Sequence, residues 1–449
     1  KIRIGSGSGW WGDRIEPAKW NAEWGEIDYL VFETMAEATV SMAQVKLRKD
    51  SDFRGYDSNL EERYKAVLPI CAEKGIKIIS NQGWVNPPEA CKKILTLAKE
   101  MGIADLIVAS VDGSDITEYI WEQNIKLLEN GLPVSEMEGE LVSAEAYLGA
   151  DPIVAALEKG ADIVITSRVA DPSLFLAPMM YEFNWNSDDW NRMAAGSAIG
   201  HLMECGAQVT GGYYSDPGYK DVPEPWNLAF PIAEVSENGE AVLTKVDGSG
   251  GELSLRTCKE QMLYEVHDPA HYITPDVIVD FTTSRLEQVG KDQVKISNVS
   301  GKKRTDSYKV SVGVAEGYIG EDTFYFAGPG AVSKAKLAKE ILEHRFNLAE
   351  LNAEDFRIDF IGLNAIHGNL SPMHPEPYEI GVRVAARTKT KQEAEKIGRE
   401  VDSMAVCGLA STGKSVPHRE RVREVIGIWS CLIPRSAVHP TVTFWRNAK

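Results

Sequence analysis

The feature that most constrains this chain is an alternation across its first 210 residues, where short β-branched runs are followed by stretches of helical period. Strand-like runs fall at Ile2–Gly5, Asp28–Glu33, Ile76–Ser80, Asp105–Val111 and Asp162–Thr166. Apolar spacing predicts helices over Glu16–Trp24, Met35–Lys49, Leu60–Lys74, Glu89–Met101, Ile116–Asn130, Pro152–Lys159 and Asp188–Glu204. The runs are apolar throughout rather than alternating, as in parallel strands covered on both faces. Gly75, Gly102 and Gly160 close helices just ahead of the next strand. The expected fold is an α/β class: an open, mostly parallel sheet with helices on both faces.

From about residue 216 the texture changes. Ser215-Asp216-Pro217-Gly218, Pro223-Glu224-Pro225 and the glycine-rich Asp247–Gly251 punctuate the chain. Strands are predicted at Lys309–Val314, Thr323–Ala327 and Glu379–Ala386, with helices at Lys334–Phe346 and Lys391–Met404. This predicts two domains, a parallel α/β domain over residues 1–215 and a mostly antiparallel α+β domain over 216–449.

Charge and cysteine spacing narrow the function classes. The net charge of -18 opposes binding to nucleic acid or an anionic membrane and favours small-molecule ligands. The cysteines are far apart and form no C-x-x-C pair, so no zinc knuckle or disulfide framework is indicated and a cytoplasmic setting is expected. No apolar run reaches the roughly 20 residues of a membrane span, and the start has no signal-peptide pattern.

Ligands of open parallel sheets sit beyond the carboxyl ends of the strands. There the chain carries Ser6 to Arg14, Glu33-Thr34, Asn81-Gln82-Gly83, Asp112-Gly113-Ser114 and Ser167 to Asp171. Gly7, Gly9 and Gly12 spell the G-x-G-x-x-G of a dinucleotide loop, and Glu33 stands where a ribose-binding acid belongs. Trp10 and Trp11 fill the variable positions, however, and the last glycine does not lead straight into a helix. The loop is therefore read as an anion- or acyl-binding turn, with a dinucleotide site and a plain ligand-free turn as alternatives. Gly408 to Ser415 spells a P-loop, but a helical stretch precedes it and Pro417 follows, so a plain solvated loop is the better reading, with a flexible lid or a site for a CoA phosphate as alternatives. His267 and His271 have the i, i+4 spacing of a zinc pair, with Asp276 as a third ligand; Pro269 between them favours a turn, and no metal is assigned.

Several long segments resemble one family. GSGSGWWGDR, ADIVITSRVADPSLFLAP, GHLMECGAQVTGGYYSDPGYKDVPE, KEQMLYEVHDPAHYITPDVIVDF and REVIGIWSCLIPRSAVHP together are similar to the acyclic terpene utilisation AtuA family, across nearly the whole chain. The resemblance implies a role in catabolism of acyclic terpenes through acyl-CoA intermediates, by lyase chemistry on a branched 3-hydroxyglutaryl-CoA-type compound. Some relatives add a small ferredoxin-like domain, and this chain is expected to stop before it. Relatives usually carry a glycine-rich run where this sequence has Gly408 to Ser415.

Lyase or hydratase chemistry on a 3-hydroxyacyl thioester needs a base, donors for an enolate oxygen and a cation for any free carboxylate. Glu33 and Asp171 are nominated as base and His201 as acid. Ser6, Gly7, Ser8 and Gly9 are expected to offer backbone N–H groups to an anion, and Trp10 and Trp11 to wall an acyl pocket. Arg14 and Arg168 are expected to hold a carboxylate. Asp13, Asn81, Gln82, Thr210, Gly211 and Gly212 complete the expected substrate-binding set. A CoA thioester is the expected substrate, no further cofactor is assigned, and a homo-oligomer is expected. The alternatives are a hydrolase or amidase-like enzyme on a small organic acid and a non-catalytic partner subunit of an acyl-CoA enzyme.

Overall fold

A computed structural model describes residues 1–371, 376–410, 412–414 and 421–447. The chain forms two compact units, one of residues 1–135, 142–313 and 428–449 and the other of 136–141 and 314–427. The division thus lies elsewhere than at residues 215–216. Residues 216–313 belong to the first unit because their strands extend the sheet begun at the N-terminus.

That sheet has ten strands. Its centre is parallel, running from Ile2–Gly9 through Tyr29–Glu33, Lys77–Ser80 and Ile163–Thr166 to Ile107–Asp112. Beyond Ile2–Gly9 it continues antiparallel through Ile232–Val235, Ala241–Thr244, Gln293–Ser297 and Arg285–Gly290. Its other edge is Thr441–Arg446, antiparallel to Ile107–Asp112. The central strands are buried on both faces, as their unbroken apolar sequences require. Leu60, Tyr64, Val67, Ile94 and Leu97 from two helices pack with Leu30, Ile78 and Val108 in one core cluster. Gly75, at φ +70°, ends the helix Leu60–Lys74 in the left-handed conformation that glycine adopts without strain.

Two local expectations give way. The stretch Ile116–Asn130 is helical only over Thr117–Glu122, because Asn124 turns to φ +47° and Lys126 bridges to Pro133. The first strand runs on to Gly9 rather than stopping at Gly5.

The second unit runs β-α-β-β-α-β: Ser307–Ala327, which begins in the first unit, then helix Ala331–Leu348, strands Asp355–Ile361 and Glu379–Thr388, helix Lys391–Cys407 and strand Val422–Pro434. The two strands expected at Lys309–Val314 and Thr323–Ala327 are parts of a single one. The sheet order sets Glu379–Thr388 between Asp355–Ile361 and Ser307–Ala327, which also pairs with Val422–Pro434. This is the split order of ferredoxin-like modules. Phe324, Phe326, Val382 and Val384 pack against Ala335, Leu342, Ile397 and Val401 of the helices. Among the described residues no helix is long and apolar enough to cross a membrane.

Candidate active site

The strand ending at Thr166 turns out through Ser167–Ala170 into the helix Asp171–Phe183, whose Pro172 suits a first helical turn. Arg168 leaves this turn fully buried. Its Nη1 donates to the carbonyls of Met35 (2.8 Å) and Val169 (3.1 Å) and to Asp171 Oδ1 (2.7 Å). Its guanidinium carbon lies 4.2 Å from the centroid of the Tyr147 ring. The backbone N–H of Arg168 donates to Ser114 Oγ (3.3 Å), which is also bonded to Glu145 (2.5 Å) and Ser167 Oγ (2.8 Å). Arg168 is therefore fixed at both ends. Asp171 is fixed at one oxygen only, and its side chain is 30% exposed against 1% for Arg168. Burial raises Asp171 above the usual carboxylate range, outweighing the attraction of Arg168.

Beside this pair stands a second strand end. Glu33 Oε1 accepts from the Met35 N–H (2.6 Å) and from Asn81 Nδ2 (3.0 Å), while Asn81 Oδ1 accepts from the Thr34 N–H (2.8 Å). Burial, and then the nearby charge of Asp171, hold Glu33 well above its ordinary value. Gln82 donates to Asp57, which pairs with buried Arg63 at 2.6 Å. Arg63 in turn reaches the carbonyls of Trp11 (2.7 Å) and Trp10 (3.2 Å). Asn81 and Gln82 thus hold the strand-end loops to one another.

The third contribution comes from the end of helix Trp190–Glu204, which is buried along most of its length. His201 Nδ1 lies 2.9 Å from Glu204 Oε1, and the imidazole is flanked by Tyr272 and Phe281 at centroid distances of 5.1 and 5.5 Å. Among the described residues, His201 Nε2 and Glu204 Oε2 are buried with no hydrogen-bond partner. Burial pushes His201 down to about 4. Burial, then the charges of Asp171 and Glu265, pushes Glu204 well above the carboxylate range. Both shifts favour the uncharged forms, an imidazole without its second proton and a carboxyl that keeps its own.

Arg168, Asp171, His201 and Glu204 share a cavity of about 570 Å³ in the first unit. On one side Arg168 and Lys309 lie over Tyr147, the Lys309 Nζ 5.0 Å from the ring centroid. Tyr147 Oη donates to Glu37 Oε1 (3.1 Å). Burial works to raise Glu37, but the charges of Arg168 and Lys309 hold it below its ordinary value. His201, Glu204, Tyr272, Glu265, His267 and Asp171 also line the cavity. The frame is braced from outside. Asp276 accepts from the Ala150 N–H (2.9 Å) and Ser173 Oγ (2.5 Å), and Arg435 donates to the carbonyls of Thr305 (2.9 Å) and Pro275.

Of the residues nominated from sequence, Arg168, Asp171 and His201 line this cavity. Glu33 does not line it, although its charge is linked to that of Asp171. The segment Ser6, Gly7, Ser8 and Gly9 is strand rather than an anion-holding turn. Its Ser6 N–H donates to Pro231 (2.9 Å), its Gly9 N–H donates to Asp13 Oδ2 (2.7 Å), and Ser8 Oγ donates to the Glu33 carbonyl (2.6 Å). The glycines serve close packing. A Cβ on Gly7 would meet the Phe32 ring at 2.7 Å, and one on Gly9 the Cys205–Gly206 backbone. Trp10 is partly exposed, Trp11 packs near Met35 and Trp84, and Arg14 donates to the Trp226 carbonyl (2.8 Å). Thr210 Oγ1 donates to Ala229 (2.6 Å), Gly211 has φ +110°, and the Gly212 N–H donates to Ala207 (2.8 Å).

The His267–His271 segment is a turn: Asp268 accepts from the Ala270 N–H and pairs with His271, while Asp276 is committed to its own two donors. Among the described residues no group of histidine, cysteine and acidic side chains is placed to hold a metal. In the Gly408–Ser415 run, Ser411 and Ser415 lie outside the described residues, as does Pro417. A helix precedes the run, and Gly413–Lys414 pairs with Phe324 and Tyr325 as strand.

Sequence reasoning missed Glu37, Tyr147, Glu265, Tyr272 and Lys309, and named Glu204 only as the last residue of a helix. Glu37 could have been found as the first residue of the helix after Glu33. Lys309, on a strand from the far side of the sequence, carried no comparable signal. A family model described as acyclic terpene utilisation family protein AtuA matches residues 2–444, whereas no curated protein and no solved structure matches the chain.

Proposed function

The chain belongs to the acyclic terpene utilisation AtuA family, and on that premise we propose that its cavity carries out lyase or hydratase chemistry on a 3-hydroxyacyl thioester. The observation that carries the reading is the Arg168–Asp171 pair. A guanidinium locked by two carbonyls and an ion pair holds one carboxylate oxygen, while the rest of that carboxylate stays accessible. Asp171 is the base that removes the proton α to the thioester carbonyl. Its raised affinity for protons suits that task, since a base works best with a pKa near the working pH. Arg168 and Lys309 supply fixed positive charge for the enolate oxygen on the Tyr147 side. The cavity volume falls in the range of small-ligand sites, about 300–1,000 Å³.

The test is turnover of a panel of 3-hydroxyacyl-CoA thioesters by the wild-type chain and Asp171→Asn. The expected result is turnover of at least one thioester, with kcat falling about 100-fold or more in the variant. An unchanged rate in Asp171→Asn would remove it as the base. Activity on free acids or amides alone, indifferent to CoA, would replace this reading with a hydrolytic one.

A further inference from the structure

The role of Glu204 goes beyond a partner for His201. Glu204 Oε2 is buried in the cavity wall with no hydrogen-bond partner among the described residues. Such an atom is destabilising wherever it is merely structural. Its Oε1 is held by His201 Nδ1 at 2.9 Å, and Tyr272 and Phe281 fix that imidazole in place. Glu265, another acid of the lining, is exposed to water, whereas Glu204 is screened from it. The charged neighbours are unequal. Asp171, Glu265 and Glu37 repel a negative Glu204, and Arg168 attracts it.

Resting on the reading of the preceding subsection, we infer that Glu204 is the proton donor to the departing 3-hydroxyl group, which makes the reaction an elimination of water across the α and β carbons. Asp171 takes the α-proton, and the electron pair of that C–H bond becomes the new double bond. The C–O bond at the β carbon breaks with its electron pair on oxygen, and that oxygen takes the Glu204 proton and leaves as water. The Glu204 carboxylate left behind is met at Oε1 by the Nδ1–H of neutral His201, which acts as a positioning residue. Transfer of the proton from Asp171 back to Glu204 restores the site, and read backwards the same steps add water to an enoyl thioester.

A leaving group that needs no proton separates this role from a structural one. Wild type and Glu204→Gln are compared on 3-hydroxypropionyl-CoA and on 3-chloropropionyl-CoA, from which chloride departs unprotonated. The expected result is that the ratio of hydroxyl to chloride elimination falls about 100-fold in the variant. An unchanged ratio, through equal loss on both substrates or loss on neither, overturns the assignment and leaves the lyase reading standing. If the wild type acts on neither, the comparison uses a 3-hydroxyacyl-CoA of the panel that it does turn over and the matching 3-chloro thioester, and failure on the whole panel removes the lyase reading and the donor role with it. Glu204→Asp carries the same comparison if Glu204→Gln does not unfold cooperatively.

Discussion

Gly9 packs against the peptide joining Cys205 to Gly206 so closely that a Cβ there would lie 2.2 Å from the Cys205 carbonyl carbon and 2.5 Å from the Gly206 nitrogen. The end of the first strand and the end of the helix carrying His201 and Glu204 thus meet backbone to backbone, with no side chain able to yield.

Gly9→Ala should therefore destabilise the chain by about 3 kcal/mol, at the upper end of overpacking costs. Gly12→Ala should cost much less, since its Cβ would meet only the movable indole edge of Trp10. Chemical denaturation of both variants checks this; equal midpoints would show that the close approach does not constrain the fold. Where activity is measurable, Gly9→Ala should lose it beyond the loss of folded protein, because the displaced backbone adjoins Glu204.

The burial of His201 predicts an acid-side loss of stability. Its imidazole is pushed down to about 4, against 6.5 in the unfolded chain. Between those values the unfolded chain takes up a proton that the folded one refuses, so stability drops as pH falls from about 6.5 to about 4. The full loss is about 3 kcal/mol, and above pH 6.5 this group contributes no pH dependence. The stability difference between wild type and His201→Phe, measured by denaturation across pH 4–8, should change over this window and be flat above it. A difference that is flat throughout would contradict the burial of the imidazole.

Glu145 acts in the opposite direction. Burial, and then the charge of Asp115, raises it from 4.5 to about 8 while its Oε2 is bonded to Ser114. The unfolded chain gives up this proton near pH 4.5 and the folded chain keeps it to about 8, so folding becomes less favourable as pH rises between the two. Glu145→Gln should be close to neutral at pH 4.5 and more stable than wild type by as much as about 5 kcal/mol at pH 8.5. Thermal unfolding of the two proteins at both pH values decides it, and a variant less stable at pH 8.5 would refute it.

The parallel core was legible because strands covered on both faces must be apolar throughout, and Leu30, Val31, Ile78, Ile79 and Val164 are. The antiparallel extension was not, since Ile232–Val235 pairs with Ile2–Gly9 across more than 220 residues and neither segment names the other. Ser6 to Gly9 misled for a physical reason: glycine permits a turn, and equally permits a strand to approach Phe32 and Cys205 where no other residue fits. Arg168, Asp171 and His201 were readable as polar residues where elements end. Lys309 and Glu265 reach the cavity through tertiary folding alone, from segments whose local pattern gives no sign of it.

The sheet bearing the site takes its first strand from residues 2–9 and an edge strand from residues 441–446. A chain emerging from the ribosome therefore makes Arg168, Asp171 and Glu204 long before it makes the strand that flanks Ile107–Asp112 or the Arg435 that ties Thr305 to Pro275. Assembly of the cavity waits on synthesis through Arg446, and contacts so distant along the chain make for slow folding.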